Sequence, residues 1–349
     1  MYILYFVNNI DISFIFLIIG SIIGAGFSSG KEIVVFFSNA GKISYVIIIL
    51  TFFLLYYSIN AFIKFANLVS ANNIYSLNKI LFKKTYKFFN FFILAGLFIF
   101  ISAMVAGLNS VGNIIFKNIR FPVLTIVSLF FSFFISLNGY SAIKKVNNIL
   151  MPIVIILMLV VTIFNIIFYK NSSQIAFIKA NYFKYFMLAI FYIGYNIVFS
   201  SGLIISNSQN FNNKKRRINT FLISVILVGL VFLINYTLLH NSYNVLISDL
   251  PLLMLAFNIN SLMGYIFAFV LWFSILTSLI SSLYLFVNNF KNKFLISAII
   301  LCFAFALSFL GFSSIINYIY PIQGVISLIF ILKVFMFNRQ KINKPKNIL

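Results

Sequence analysis

The stretch GSIIGAGFSSGKE, residues 20–32, contains four glycines and three serines within an apolar segment that extends over residues 12–38. A continuous helix is unfavourable there, because each interior glycine costs about 1 kcal/mol relative to alanine. Non-helical backbone survives at membrane depth only where it is buried in protein or lines a cavity. We therefore expect the helix of this segment to be interrupted.

A second stretch, GYNIVFSSGL at residues 194–203, repeats part of this pattern in a later apolar segment. Its FSSG at 199–202 has the same four letters as residues 27–30. Close packing of helices through small residues is an alternative explanation of the glycines, and Gly20 and Gly24 have the spacing of that motif. Both explanations remain open from the letters alone.

The composition excludes a soluble protein. Hydrophobic residues make up 63% of the 349 residues and charged residues 8%, whereas soluble domains carry about 25% charged residues. Ten apolar segments approach the length of about 20 residues that a helix needs to cross a bilayer. These segments lie at residues 12–38, 43–67, 88–115, 121–138, 145–169, 183–208, 218–240, 259–287, 294–311 and 314–337. The expected fold class is an all-α integral membrane protein with ten transmembrane helices.

The net charge of +22 comes from Lys and Arg residues that separate the apolar segments, so it indicates membrane topology and not nucleic-acid binding. If the N-terminus lies inside, eighteen basic residues fall in cytoplasmic loops and six in outer loops. The cluster KKRR at 214–217 makes the strongest single contribution. Since Lys and Arg are retained on the cytoplasmic side, we expect a multi-pass protein of the cell membrane with both termini in the cytoplasm.

The ten segments form two halves, residues 12–169 and 183–337, within a single transmembrane domain that covers residues 1–349. Five helices per half reverse the orientation of the second half relative to the first. The two glycine-rich stretches lie in the first helix of each half. Paired interruptions at corresponding positions of inverted repeats point to the binding site of a secondary transporter. We therefore expect the first and sixth helices to be broken at a shared substrate site.

A broken helix exposes backbone N–H groups that suit an anion and C=O groups that suit a cation. The carbonyl groups of Gly20 and Ile23 are therefore candidate ligands of a coupling ion. The candidate substrate-binding residues are Gly24, Ala25, Gly26, Phe27, Ser28 and Gly30 in the first segment and Tyr195, Asn196, Ser200 and Gly202 in the sixth. We expect the N–H groups of residues 26–28 and 200–202 to face an anionic substrate group.

Glu32 is the one acidic residue at membrane depth, since Asp11 precedes the first segment and Asp249 lies in the loop at 241–258. An ionisable group inside a membrane is energetically expensive and marks a functional site by default. Glu32 is a candidate for proton coupling, for binding a cation, or for pairing with Lys31 or an asparagine. The alternative is a structural role, in which an acid in the first turn stabilises the second half-helix through its dipole.

The letters GAGFSSGKE, followed by an apolar stretch and FF, resemble the signature of the YkvI-like membrane protein family, which usually reads GAGFASGQE. This family belongs to the amino acid–polyamine–organocation transporter superfamily. The resemblance implies a LeuT-type fold of 5+5 inverted repeats, with the first and sixth helices unwound at a central substrate site. In LeuT-type sodium symporters a Thr-Ser pair on the eighth span completes a sodium site, so the resemblance makes Thr277 and Ser278 candidate ligands. Lys31 departs from the family pattern, in which a neutral Gln is usual.

The resemblance implies a secondary active transporter that moves an amino acid or a related small zwitterion by alternating access. Na+ or H+ is the expected coupling ion, and no other cofactor is expected. The expected partners are a small-molecule substrate and the lipid bilayer, whereas the sequence identifies no protein partner. Two alternatives remain open: a spore-germinant-sensing permease subunit without net transport, and a non-transporting membrane scaffold.

Enzyme chemistry is not expected. One His, one Cys and a single acid at membrane depth cannot assemble a Ser-His-Asp set, a paired carboxylate site or a multi-histidine metal site. The sequence contains no GxxxxGK[ST] loop, so nucleotide-driven pumping by this chain is excluded.

Overall fold

The computed structural model describes residues 9–69, 74–116, 122–168, 181–208 and 211–343. All regular elements in these ranges are helices, which we number in chain order. They are α1 (Ile12–Ile22), α2 (Ala25–Ser28), α3 (Lys31–Phe36), α4 (Ser44–Val69), α5 (Ile74–Phe82), α6 (Tyr86–Ile115), α7 (Val123–Leu137), α8 (Tyr140–Phe168), α9 (Tyr182–Ser208), α10 (Asn213–Leu239), α11 (Tyr243–Ile247), α12 (Pro251–Ile259), α13 (Ser261–Val287), α14 (Lys293–Ser308), α15 (Phe312–Ser314) and α16 (Tyr320–Asn343). Short 3₁₀ helices at Ser38–Ile43 and Lys83–Thr85 and a π-helical turn at Ile315–Ile319 connect some of them.

Seven stretches of the described chain are long and apolar enough to cross a membrane, and α1, α7 and α14 are shorter apolar helices. Each of the ten predicted segments overlaps one of these elements. The expectation of an all-helical multi-pass membrane protein is therefore confirmed, whereas the number of helices that cross the bilayer stays a prediction. The predicted topology depends on the positions of the basic residues. Six of these lie outside the described residues, namely Lys117, Arg120, Lys170, Lys179, Lys344 and Lys346.

The first predicted segment, residues 12–38, is not one helix. The helix α1 ends at Ile22, and Ile23 (φ −74°, ψ 81°) and Gly24 (φ −96°, ψ −164°) have non-helical backbone angles. The next helix, α2, has four residues, and Gly30 at φ +83° separates it from α3. Glycine adopts a positive φ at no steric cost because it lacks a Cβ atom. The chain therefore passes through this region as three helical pieces.

The first segment lies at the centre of the molecule. Every residue from 17 to 34 is buried. Gly20 sits against Asn147 of α8, where a side chain would overlap the Asn147 amide, and Ala25 sits against Gly107 of α6. Helices α9 and α13 pack against α1 as well. The small residues thus allow four neighbouring helices to approach the break closely.

The sixth predicted segment is a single continuous helix, α9, so the predicted break within residues 194–203 is wrong. Its glycines serve close helix packing instead. A Cβ at Gly194 would lie 3.0 Å from the carbonyl oxygen of Gly324 in α16, and a Cβ at Gly202 would lie 2.6 Å from Leu285 in α13. Both contacts agree with small-residue packing, the alternative explanation of these glycines.

The polar side chains of this stretch bond within α9. The Asn196 amide nitrogen donates to the carbonyl oxygen of Tyr192 at 2.9 Å, and the Ser201 hydroxyl donates to that of Val198 at 2.6 Å. Hydrogen bonds to the preceding turn satisfy such side chains inside a helix. These polar residues therefore require no unwound backbone.

Candidate functional site

The carbonyl groups freed at the break of the first segment face hydroxyl groups of α13. The Ser278 hydroxyl lies within hydrogen-bond distance of three carbonyl oxygens, those of Ile23 at 2.8 Å, Gly20 at 3.1 Å and Ser274 of its own helix at 3.1 Å. The Ser274 hydroxyl donates to the Ile23 oxygen at 3.1 Å. Three of the predicted ion-binding residues therefore lie together. Ser274 is not among the predicted residues, although its position four residues before Ser278 places both on one helix face.

Thr277, the other hydroxyl of the predicted pair, donates to the Ser274 carbonyl oxygen of its own helix at 2.9 Å. Its hydroxyl is therefore directed to α13 itself and not to the first segment. The remaining set consists of two carbonyl and two hydroxyl oxygens, and hard cations prefer oxygen ligands. These residues fit Na+, provided that both hydroxyl groups turn their hydrogens away from the carbonyl oxygens. Sodium binding here stays a prediction.

The N–H groups at the start of α2 are partly engaged by the protein itself. Ala25 N–H donates to the sulfur atom of Met104 in α6 at 3.2 Å. The N–H and the hydroxyl of Ser28 both donate to the Gly24 carbonyl oxygen, at 2.9 and 2.7 Å. The first four N–H groups of a helix, counted from its N-cap, have no acceptor within it, and that of the N-cap Gly24 donates to the Ile22 carbonyl oxygen. Those of residues 26–27 are therefore the groups that remain for an anion.

Glu32 folds back from α3 onto α2. Its carboxylate lies against Gly26, so that a side chain at Gly26 would overlap it. Glu32 is 1% exposed, and the Tyr195 hydroxyl of α9 donates to its Oε2 at 2.9 Å. The other oxygen, Oε1, is buried and has no hydrogen-bond partner among the described residues. Tyr195 is thus the partner of Glu32, in place of the predicted Lys31 or asparagine.

The Lys31 side chain is directed to the end of α11. Its Nζ donates to the carbonyl oxygens of Ile247 at 3.2 Å and Ser248 at 2.9 Å. The last carbonyl groups of a helix lack intrahelical partners and attract cations. In addition, the Leu252 N–H donates to the Ser29 carbonyl oxygen at 2.8 Å. These bonds attach α2 and α3 to the connection between α11 and α12.

Aromatic rings surround Tyr195. The distances from its ring centroid are 5.0 Å to Tyr320, 5.7 Å to Phe36, 5.7 Å to Tyr192 and 6.2 Å to Phe199. The Tyr320 hydroxyl is buried and unpartnered within the described ranges. Sequence reasoning misses Tyr320, because 47 Phe and 19 Tyr are distributed along the chain and no motif distinguishes it. Phe36 belongs to the FF of the family signature, which assigns it no role.

The chain is similar over nearly its whole length to the uncharacterized membrane protein YkvI of Bacillus subtilis (strain 168). The two are 22% identical over 326 residues, which cover 90% of this chain and 92% of that protein. No protein-family profile matches the chain. The resemblance inferred from GAGFSSGKE is therefore confirmed.

Solved structures identify the fold. MhsT in complex with L-phenylalanine matches with a TM-score of 0.70 at 15% identity, over 94% of this chain and 88% of that chain. The Eremococcus coleocola manganese transporter matches with a TM-score of 0.62 at 14% identity, over 93% of this chain and 79% of that chain. The chain has the LeuT fold. Both neighbours are LeuT-fold transporters and not enzymes.

Of the other predicted residues, Ser200 lies at the interface between the first segment and α9, whereas Asn196 and Gly202 make their contacts elsewhere. The Ser21 hydroxyl donates to Ser200 Oγ at 2.9 Å and so links α1 to α9. Phe27 is completely buried. The Asn196 side chain bonds within its helix and Gly202 packs against α13. Roles of these residues in substrate binding stay predictions.

The N-terminal end of α1 is attached to α10. Asp11 Oδ1 accepts from the Phe14 N–H at 3.0 Å, and Oδ2 lies 3.0 Å from Lys215 Nζ. The Asp11 N–H donates to Asn219 Oδ1 at 2.7 Å. Burial raises the pKa of Asp11, but the hydrogen bonds from Lys215 and the Phe14 N–H and the nearby positive charge outweigh it, so the pKa lies below its ordinary value. The first segment is thus held at both ends.

Proposed function

We propose that this protein is a secondary active transporter that moves an amino acid or a related small amine-bearing solute across the cell membrane by alternating access. The proposal includes ten transmembrane helices in 5+5 inverted repeats, residues 12–169 and 183–337, with both termini in the cytoplasm. The observation that carries it is the break at residues 23–24, which lies in the buried centre of the molecule and faces the hydroxyl groups of α13.

A break at this position is costly unless other groups satisfy the freed backbone. Backbone groups without partners are expensive at membrane depth, and here side chains of α6 and α13 bond to them. Secondary transporters place their substrate site at such breaks, near the midplane of the bilayer. The LeuT fold of the chain, and the L-phenylalanine bound to MhsT, support the proposal.

We assign the coupling ion to the oxygen cluster, which consists of the carbonyl groups of Gly20 and Ile23 and the hydroxyl groups of Ser274 and Ser278. All four ligands are neutral oxygens, so binding of a cation requires no deprotonation. Transport should then depend on the sodium concentration more than on pH. Proton coupling through Glu32 predicts the opposite dependence.

Uptake into proteoliposomes tests the transport function. The purified full chain is reconstituted and supplied with a radiolabelled mixture of the common amino acids and their decarboxylated amines, under an inward sodium gradient or an inward proton gradient. We expect uptake above that of protein-free vesicles with the sodium gradient. Uptake that occurs with the proton gradient but not with the sodium gradient would instead indicate proton coupling through Glu32. No uptake under either gradient would overturn the assignment as a transporter.

Gly24→Val tests whether the break is the transport site. A Cβ at Gly24 would lie 2.9 Å from Met104 and 3.3 Å from Phe100, so a valine would press on both side chains. The control is Gly229→Ala, because no described heavy atom outside its own helix backbone lies within 4 Å of a Cβ at Gly229. We expect Gly24→Val to lower uptake to the protein-free level at normal expression, and Gly229→Ala to transport like the wild type. Normal uptake by Gly24→Val would exclude the break as the site.

A further inference from the structure

The chain's own carboxylate lies beside the N–H groups at the break that would bind an anionic substrate group. The N–H groups of residues 26–27 remain for an anion at the start of α2, since Ala25 N–H bonds to Met104. The Glu32 carboxylate lies directly against Gly26. Like charges in contact are strongly unfavourable. A substrate carboxylate at these N–H groups would therefore lie beside Glu32, and two ionised carboxylates there would repel each other.

Glu32 has no ion-pair partner among the described residues. The ammonium group of the adjacent Lys31 bonds to carbonyl oxygens at the end of α11. Tyr195 donates to Oε2, whereas Oε1 has no partner in the described part of the chain. A buried carboxylate is energetically unfavourable unless it is neutral or a cation pairs with it. An ionised Glu32 therefore needs a cation that the described residues do not supply.

The surroundings of Glu32 suit an ammonium group. The rings of Tyr195 and Tyr320 lie 5.0 Å apart, and Phe36 lies 5.7 Å from Tyr195. The faces of aromatic rings attract cations. The Tyr320 hydroxyl is buried and unpartnered among the residues that the structure describes. A primary ammonium group brings three N–H donors, which these acceptor oxygens can receive.

We propose that Glu32, Tyr195 and Tyr320 bind the ammonium group of the substrate, and that Glu32 replaces the carboxylate that an amino acid would bring. The substrate is then a primary amine without a carboxylate. This inference rests on the proposed transport function and narrows its substrate class from amino acids and amines to amines.

A cavity that Phe199 lines guides the choice of the apolar group of the probes. Phe199, whose ring lies 6.2 Å from that of Tyr195, also lines a cavity of about 190 Å³ between α6, α9 and α16. Its lining is mainly apolar, with Gln323 and Ser327 as polar members. A cavity of about 150 Å³ holds a benzene molecule. Phenyl and branched alkyl amines are therefore the appropriate probes.

The thermal stability of the purified full chain with matched probes tests the inference, since a ligand that binds the folded state raises its stability. One set consists of phenethylamine, L-phenylalanine and phenethyl alcohol, and the other of isoamylamine, L-leucine and isoamyl alcohol. Within each set the apolar group is constant, and only the ammonium and carboxylate groups differ. We expect the amines to raise the melting temperature and to bind at least about tenfold more tightly than the amino acids, with no shift for the alcohols.

Glu32→Gln tests the charge at nearly constant shape, because the amide oxygen can still accept from Tyr195. We expect it to weaken amine binding by at least about tenfold. Asp249→Asn removes the same charge from the α11–α12 connection and should leave amine binding unchanged. Wild-type binding by Glu32→Gln would mean that Glu32 is a neutral packing group, and would overturn the inference. If Glu32→Gln does not fold, the comparison of probes on the wild type decides alone.

The outcomes separate this inference from the transport function. Amino acids that bind as tightly as the amines would overturn the inference and leave the transport function intact. No shift with either amine would also overturn it, while sodium-driven uptake of the radiolabelled mixture would still support transport. Amine binding without uptake in proteoliposomes would retain the ammonium site and overturn transport.

Discussion

The two FSSG sequences have the same letters and different backbones. At residues 27–30 the motif ends a four-residue helix, and its glycine has a φ of +83°. At residues 199–202 it lies inside the continuous helix α9. The four letters therefore do not determine whether the helix breaks. The groups that surround the backbone must decide it.

Hydrogen bonds between the backbone and side chains of other helices distinguish the two regions. At the first break, Ser278 donates to the freed carbonyl oxygens and the Met104 sulfur accepts from a freed N–H. The atoms nearest to a Cβ at Gly202 belong to Leu285 and Ile74, whose side chains form no hydrogen bonds. A backbone group freed on this side of Gly202 would face these apolar side chains, and an unpartnered backbone group is expensive at membrane depth. The helix therefore continues through Gly202.

The largest effect is expected from Gly26→Ala, which acts at the first FSSG region. The added Cβ would overlap the Glu32 carboxylate and force it away from the Tyr195 hydroxyl. Overpacking of a buried site costs about 1–3 kcal/mol, and we expect uptake to fall to the level of protein-free vesicles. Proteoliposome uptake at equal protein content measures this, and thermal unfolding verifies that the variant folds. Unchanged uptake would contradict a role for Glu32 in the site.

The next effect is expected from Ser278→Ala, because the carbonyl oxygens of Gly20 and Ile23 would lose a donor. A buried polar group without a partner costs about 1–3 kcal/mol. We expect a lower melting temperature and the loss of sodium-dependent uptake. Thr277→Val is the matched control, since the Thr277 hydroxyl bonds within α13. Equal sodium dependence in Ser278→Ala and the wild type would exclude the oxygen cluster as the ion site.

The fold class could be predicted from the sequence because apolar segments of transmembrane length leave few alternatives to a helical membrane protein. The irregular first segment could be predicted too, since four glycines lie close together in it. The continuity of the helix in the sixth segment could not be predicted. Glycines such as Gly194 and Gly202 occur both where a neighbouring helix packs closely and where a helix is interrupted, and the sequence does not distinguish the two. Met104 and Tyr320 reach the site only through the packing of α6 and α16, and no local motif selects them.

A smaller effect is expected where the broken segment begins, at the ion pair between Asp11 and Lys215. Both side chains are partly exposed, so the pair contributes about 0–1 kcal/mol. Because the pKa of Asp11 is lowered in the folded protein, this stability is present above its ordinary pKa and is lost as the pH falls through the folded-state pKa. Asp11→Asn keeps a helix cap and removes the charge.

We expect the wild type to melt slightly above Asp11→Asn at neutral pH, and the difference to disappear in acid. Thermal unfolding of both proteins over a pH series measures this difference. Added salt should reduce it as well, because salt screens exposed ion pairs. A difference that persists in acid would mean that Asp11 acts through its shape and not through its charge.

The smallest effect is expected from Gly202→Ala, the counterpart in α9 of Gly26→Ala. Alanine favours a continuous helix by about 1 kcal/mol relative to glycine, while its Cβ would lie 2.6 Å from Leu285 Cδ2, at the flexible end of that side chain. Because the two effects oppose each other, we expect the melting temperature and the uptake to stay near those of the wild type.

If α9 unwinds at its FSSG during the transport cycle, alanine would oppose that step. Gly202→Ala would then lower uptake without lowering the melting temperature. The two FSSG regions would in that case differ in this one conformation and not throughout the transport cycle. Unchanged uptake in Gly202→Ala, beside abolished uptake in Gly26→Ala, would instead restrict the functional break to the first segment. Measured together, the two substitutions therefore decide whether the second FSSG acts in transport or only in packing.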